Sequence, residues 1–184
     1  MSTSWITQYH LTLMTFFVLV FIQAALHKGS DLRRFSGYIS QYSRHFEPRA
    51  YPLAVLLLVC EIAAVALSIT PATNAVGEGL MLLLLVGYTL AMSLQLRSGQ
   101  REIDCGCGGT PIVVSRRTLM RNATLMVLAG SMLLTANQPI TSLSLALAIG
   151  GGVLLWFGYY LLEQLMHNHD LILKIAQHDQ EKDV

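Results

Sequence analysis

Charge is what this sequence has least of. Asp, Glu, Lys and Arg make up 12% of its 184 residues, where an ordinary soluble domain carries about 25%, so a water-soluble fold is disfavoured. The net charge of +1 comes with no basic cluster interleaved with aromatics, and nothing points to a nucleic acid. Ser/His/Asp constellations and Walker-type phosphate loops are missing too, which leaves hydrolase and nucleotide chemistry without support. No soluble domain, internal repeat or low-complexity tract stands out. The first residues have neither the basic region nor the small-residue cleavage site of a signal peptide, so the first apolar segment is expected to stay in the mature protein.

What the chain has instead is apolar length. Hydrophobic residues account for 53% of it. Five runs come close to the roughly 20 residues a spanning helix needs, at about 6–26, 51–70, 76–96, 119–136 and 143–165. Backbone polar groups in hydrocarbon must be satisfied within their own segment, and the runs lack period-2 alternation, so they are helices. The expected fold is all-α, a polytopic membrane helix bundle forming one integral membrane domain over residues 1–184. Gln8, Tyr9 and His10 at the start of the first run, and Arg121 and Asn122 at the start of the fourth, are expected near a membrane surface, where long polar side chains snorkel to water. The polar tail, 167–184, contains "LILKIA" and reads as a short amphipathic extension of the last helix along the surface.

The 12 Lys and Arg residues set the orientation. Lys28, Arg33, Arg34, Arg44 and Arg49 lie in or beside the first connection. Arg97, Arg101, Arg116, Arg117 and Arg121 flank the third, and Lys174 and Lys182 lie in the tail. The N-terminus and the other two connections have none. The expectation is an N-terminus outside and a C-terminus in the cytoplasm, with the third connection on the cytoplasmic face.

That third connection holds "REIDCGCGGTP", residues 101–111, with two of the three cysteines. Gly106 frees the backbone between Cys105 and Cys107. A disulfide across one residue closes a small, strained ring, and strained, accessible disulfides suit exchange better than bracing. Arg101, Arg116 and Arg117 favour the thiolate form, and Asp104 opposes it. The bland alternative is a pair of incidental reduced thiols in a Gly-rich turn. Adding His27 at the end of the first helix gives a soft-metal set of Cys105, Cys107 and His27, suited to zinc or cuprous copper. Against that, His27 and Lys28 at a helix end are by default headgroup-region residues. Cys60 and Glu61 lie mid-way along the second run. A lone Cys in a spanning helix is usually a small apolar residue. Glu61 is different, because an ionisable group at that depth is costly and faces the bundle interior or a cavity. It either hydrogen-bonds another helix or handles a proton for thiol chemistry nearby, with Cys60 as a possible relay. Gly150, Gly151 and Gly152 point to close helix packing or a kink. Trp156, Tyr159 and Tyr160 read as packing or interfacial aromatics, and His167, His169 and His178 are too scattered for a ligand set.

Four stretches carry a resemblance: "ALHKGSDLRRFSGYISQY" after the first helix, Glu61, "RSGQREIDCGCGG" after the third, and "PIVVSRRTLMRN" leading into the fourth. With them the chain resembles the MauE family of methylamine-utilisation proteins, within a wider MauE/DoxX group of redox-associated membrane proteins. The matching part runs from Ala25 to Asn122, and Asp-Cys-Gly-Cys is its specific element. Gly109 stands where the family often has Phe. The resemblance implies a DoxX-like core of four helices with a fifth transmembrane helix, in the bacterial inner membrane. It also implies a role in maturing the disulfide-rich small subunit of methylamine dehydrogenase, together with MauD, a thioredoxin-like partner. By position, Cys105 and Cys107 are the exchanging pair. His27, Lys28, Asp31, Glu61, Arg101, Asp104, Arg121 and Asn122 occupy motif positions without assigned roles. The partners expected are therefore the lipid bilayer, a MauD-like protein and the dehydrogenase small subunit. No resident cofactor is expected, with a quinone or a metal as the open alternatives. The competing functions are a scaffold or chaperone whose cysteines are structural, a metal-handling protein and, with least support, a transporter.

Overall fold

Every long apolar run forms a helix, and the helices extend past the runs at most ends. The computed structural model describes residues 2–42, 47–98, 116–135 and 142–182. In chain order the helices are α1 (Ser2–Ser30), α2 (Leu32–Tyr42), α3 (Ala50–Ile69), α4 (Asn74–Ser98), α5 (Arg116–Leu133) and α6 (Ser142–Lys182), with a single 3₁₀ turn at Glu47–Arg49. Among the described residues there is no strand.

Helix α1 sits in the middle, packed on α6, α3 and α5, while α4 lies between α3 and α5 and α2 lies against α3. The core is small and aromatic-rich: Phe16, Phe17 and Phe21 from α1 meet Ala64 of α3, Met81 and Leu85 of α4, and Leu125, Ala129 and Met132 of α5. Outward-facing positions are as apolar as the core, Leu83, Leu94 and Leu154 among them. A helix apolar all round is one that meets lipid on its outer side. Among the described residues, four segments are long and apolar enough to cross a membrane: Trp5–Ser30, Glu47–Ile69, Asn74–Arg97 and Leu145–Met166. The chain is thus a multi-pass helical membrane bundle. Helix α5, the fifth expected crossing, has 18 residues and is not among the four. Even so it is packed into the bundle against α4 and α1.

Two turns are legible in chemical detail. Asp31 breaks α1 from α2 and caps the second helix, its Oδ1 accepting the Arg34 N–H at 2.9 Å, the usual task of an Asp at that position. Between α3 and α4, the Thr73 hydroxyl donates to the Leu67 carbonyl at 3.0 Å and the Thr73 N–H to the Thr70 carbonyl at 3.0 Å. Just beyond that turn Gly77 lies so close to α3 that a Cβ on it would stand 2.2 Å from the Ser68 nitrogen. Of the three glycines expected at a close approach or kink, two lie against α1: a Cβ on Gly152 of α6 would fall 2.5 Å from the Thr15 Cβ and one on Gly151 3.2 Å from the Thr12 Cγ2, while Gly150 has nothing within 4 Å. The expected surface extension of the last helix is a direct continuation, α6 running unbroken for 41 residues.

Candidate functional site

Three ionisable groups expected near the membrane surface are buried in the bundle instead. Lys28, His10 and Arg121 each find a carboxylate on another helix, which removes the reason to snorkel. Lys28 is 1% exposed and pairs with Glu61, which is fully buried. Arg121 of α5 pairs with Glu163 of α6. His10, near the other end of α1, meets Glu78 of α4 at 2.9 Å. An unpaired charge in hydrocarbon is expensive, and pairing is the common remedy.

The Lys28 site is built from four helices. Glu61 lies 11 residues into α3, roughly 16 Å along its axis, and Tyr88 lies 10 residues before the end of antiparallel α4, roughly 15 Å, so the two reach the same level. Lys28 donates to Glu61 Oε1 and, at 3.0 Å, to the Tyr88 oxygen. Tyr88 in turn donates to the same carboxylate oxygen at 2.6 Å. The ammonium also lies 4.3 Å from the Tyr88 ring centroid and 5.3 Å from that of Phe35, within cation–π range. Phe35 comes from α2, so the short amphipathic helix closes this end of the site.

Next to it stands the Arg121 group. Tyr159 of α6 donates to Glu163 Oε1 at 3.0 Å, and Arg121 Nη2 donates to Asn122 Oδ1 at 3.3 Å. Lys28, Glu61, Tyr88, Arg121, Asn122 and Tyr159 all line one cavity of about 30 Å³, completed by apolar side chains such as Phe21, Leu85 and Leu125. On two of these residues, Glu61 Oε2 and Asn122 Nδ2 are buried with no hydrogen-bond partner among the described residues.

Of the residues singled out from the sequence, the structure brings together Lys28, Glu61, Arg121 and Asn122. Cys60 adjoins Glu61 in the chain but points about 100° away round the helix. It is half-buried and packs against the apolar core. His27 is half-buried at the end of α1, and Asp31 is the cap of α2. Arg101, Asp104, Cys105 and Cys107 lie outside the described residues. So do both thiols of the alternative metal set. Among the described residues no three His, Cys, Asp or Glu side chains are grouped to hold a metal ion. The sequence did not single out Tyr88, Glu78 or Glu163, and Tyr159 read there as a packing or interfacial aromatic. The signal for the two glutamates was the one used for Glu61, an ionisable residue inside an apolar run.

The family model described as "Methylamine utilisation protein MauE" matches residues 6–135. The methylamine utilization protein MauE of Paracoccus versutus is 29% identical over 155 residues, covering 82% of this chain and 83% of the relative. That of Paracoccus denitrificans is 32% identical over 120 residues, 64% of each chain. That of Methylophilus methylotrophus is 26% identical over 125 residues, 68% of this chain and 66% of the relative. No solved structure matches. With most of its length matched by the family model, and His10, Lys28, Glu61, Glu78, Arg121 and the Cys-Gly-Cys segment inside the matched region, the chain belongs to the MauE family.

Proposed function

We propose that this is an inner-membrane protein of methylamine utilisation that exchanges disulfides at Cys105 and Cys107 to support maturation of the methylamine dehydrogenase small subunit. One observation carries the reading: the Cys-Gly-Cys element falls within the 6–135 segment shared with the family. In the oxidising direction a substrate thiolate attacks the Cys105–Cys107 disulfide, giving a mixed disulfide and one freed thiolate. A second substrate thiolate resolves it. The substrate gains a disulfide, and the pair leaves as a dithiol carrying two electrons. A disulfide on a thioredoxin-fold partner of the MauD kind accepts those electrons and restores the pair. The architecture supports this role by fixing both ends of the loop. Helix α4, which precedes it, is tied to α1 and α3 through Tyr88, and α5, which follows it, to α6 through Arg121. Rigid mounts favour precise chemistry on a loop.

The direct test is alkylation of the three thiols in native membranes, with and without reductant. The expected result is a reducible Cys105–Cys107 bond, with Cys60 reduced throughout. A Cys105→Ser or Cys107→Ser variant is expected to trap a mixed disulfide with the partner and to lose maturation. Full maturation in the double variant Cys105→Ser/Cys107→Ser would replace this reading with that of a scaffold.

Orientation is the second part of the proposal. Every Lys and Arg falls on one side of the expected five-helix topology, which supports a cytoplasmic position for the Cys-Gly-Cys segment. Fusions at residues 40 and 184 are expected to be active with a cytoplasmic reporter and silent with a periplasmic one. Periplasmic activity at either site reverses the assignment.

A further inference from the structure

The short helix α2 joins two crossings and resembles neither. Its 11 residues hold two arginines and no carboxylate. Leu32, Phe35 and Ile39 follow the i, i+3, i+7 spacing of one helix face. All three are withdrawn from solvent, and Phe35, the most deeply buried, lies against the Lys28 ammonium. Arg33 and Arg34 are exposed. The serines turn back on the helix itself, Ser36 Oγ donating to the Arg33 carbonyl at 2.7 Å and Ser40 Oγ to the Gly37 carbonyl at 2.8 Å. The guanidiniums are thus the polar groups that α2 presents outward. Arg34 is steadied within its own helix, where its Nε donates to the Tyr38 oxygen at 2.7 Å.

Position narrows what they meet. The segments before and after α2, Trp5–Ser30 and Glu47–Ile69, are both long and apolar enough to cross a membrane. Helix α2 starts two residues after the first and stops five before the second, so both of its ends are tied to one membrane surface. A helix held there, apolar on one side and basic on the other, has the pattern of an in-plane interfacial helix. Arg49, exposed in the 3₁₀ turn packed on α2, adds a third guanidinium. The carboxylates flanking α2 in the chain are Asp31, occupied as its cap, and Glu47, in the same turn as Arg49. The turn at the far end of α3, residues 70–73, has neither Lys nor Arg. A guanidinium fork matches two oxygens of a phosphate. We propose that α2 is a site for an anionic phospholipid, whose phosphodiester sits on Arg33 and Arg34 while its acyl chains run along the apolar outside of the bundle. A zwitterionic headgroup brings the same phosphate with its charge already cancelled, so the site selects by net charge. The bound lipid holds in place the helix whose Phe35 covers Lys28.

Native mass spectrometry of the delipidated full-length protein in neutral detergent tests this, with phosphatidylglycerol and phosphatidylcholine of identical chains offered together. An arginine at an anionic surface is worth roughly fivefold in affinity, so two give a preference for phosphatidylglycerol of roughly 25-fold. That preference should fall about fivefold in Arg33→Gln and disappear in Arg33→Gln/Arg34→Gln. The Asp31 cap is made to the Arg34 backbone N–H, so both variants keep it. Arg97→Gln removes an exposed charge at the same end of the bundle, on α4, and should leave the preference nearly unchanged. Equal retention of the two lipids by the unmodified protein overturns the proposal. So does an equal loss in Arg97→Gln and Arg33→Gln, which would make the attraction diffuse. Inorganic phosphate in large excess separates the two sources of a phosphate group. Bound phosphatidylglycerol should stay in place, and its displacement would make α2 a site for free phosphate instead.

Discussion

Lys28→Met is expected to lower the stability of the detergent-solubilised protein by about 3–5 kcal/mol, the usual consequence of removing one partner of a buried ion pair. The large value comes from what is left behind. Glu61 would keep the Tyr88 donor at 2.6 Å but lose its counter-charge, in a place where no part of it reaches solvent. Glu61→Leu should do comparable damage from the other side, stranding an ammonium held by one phenol oxygen and two aromatic faces. The double variant Lys28→Met/Glu61→Leu is the informative one. Replacing a whole buried pair by apolar groups of similar volume is often neutral or stabilising, so the double variant should recover most of what either single change loses. Denaturant or thermal unfolding of the four proteins gives the coupling energy directly. Additive losses would mean that the two side chains do not act as a pair.

Gly77→Ala should be nearly as harmful, for a steric reason. The added methyl would lie 2.2 Å from the Ser68 nitrogen and 2.7 Å from the Leu67 carbonyl carbon. These are backbone atoms of a neighbouring helix and cannot rotate aside. Helices α3 and α4 would have to separate directly after the turn that joins them, breaking the Thr73 to Leu67 hydrogen bond that sets their approach. Overpacking of this kind costs typically about 1–3 kcal/mol, and a rigid obstacle places Gly77 at the upper end. Gly79 and Gly87 are built-in controls on the same helix, with nothing within 4 Å of a Cβ. There Ala should be neutral or stabilising by up to about 1 kcal/mol, because it is the better helix former. The three alanine variants, compared by unfolding midpoint, separate close approach from intrinsic helix preference.

The helices were legible because continuous apolar runs of spanning length admit few other structures. Glu61 was legible as a site because its depth in such a run is abnormal. Their arrangement was not legible. A helix that is apolar all round carries no periodic stripe to show which face meets which neighbour, so the rotations of α1 and α6 had no sequence signature. The ion pairs follow from those rotations. Lys28 and Glu61 lie 33 residues apart, Arg121 and Glu163 42, and His10 and Glu78 68. Each basic partner stood near the end of its run, where snorkelling to water was the simpler expectation, and only packing decided between water and a carboxylate. The glycine triplet was a partial exception, because three adjacent side chains reduced to hydrogen allow a close approach, which Gly151 and Gly152 make against α1 and Gly150 does not.

The Arg121–Glu163 pair has a consequence in time. Glu163 is synthesised more than forty residues after Arg121, so the arginine leaves the ribosome before its counter-charge exists. Helix α5, short and carrying Arg117, Arg121 and Asn122, has little apolar length to hold it in lipid at that stage. Its packing partners α4 and α1 are already made, but the Arg121 charge is matched only when α6 arrives. The segment between α4 and α5 therefore gains the ion pair that ties down its far end last, and the exchange proposed for its two cysteines would wait on a nearly finished chain.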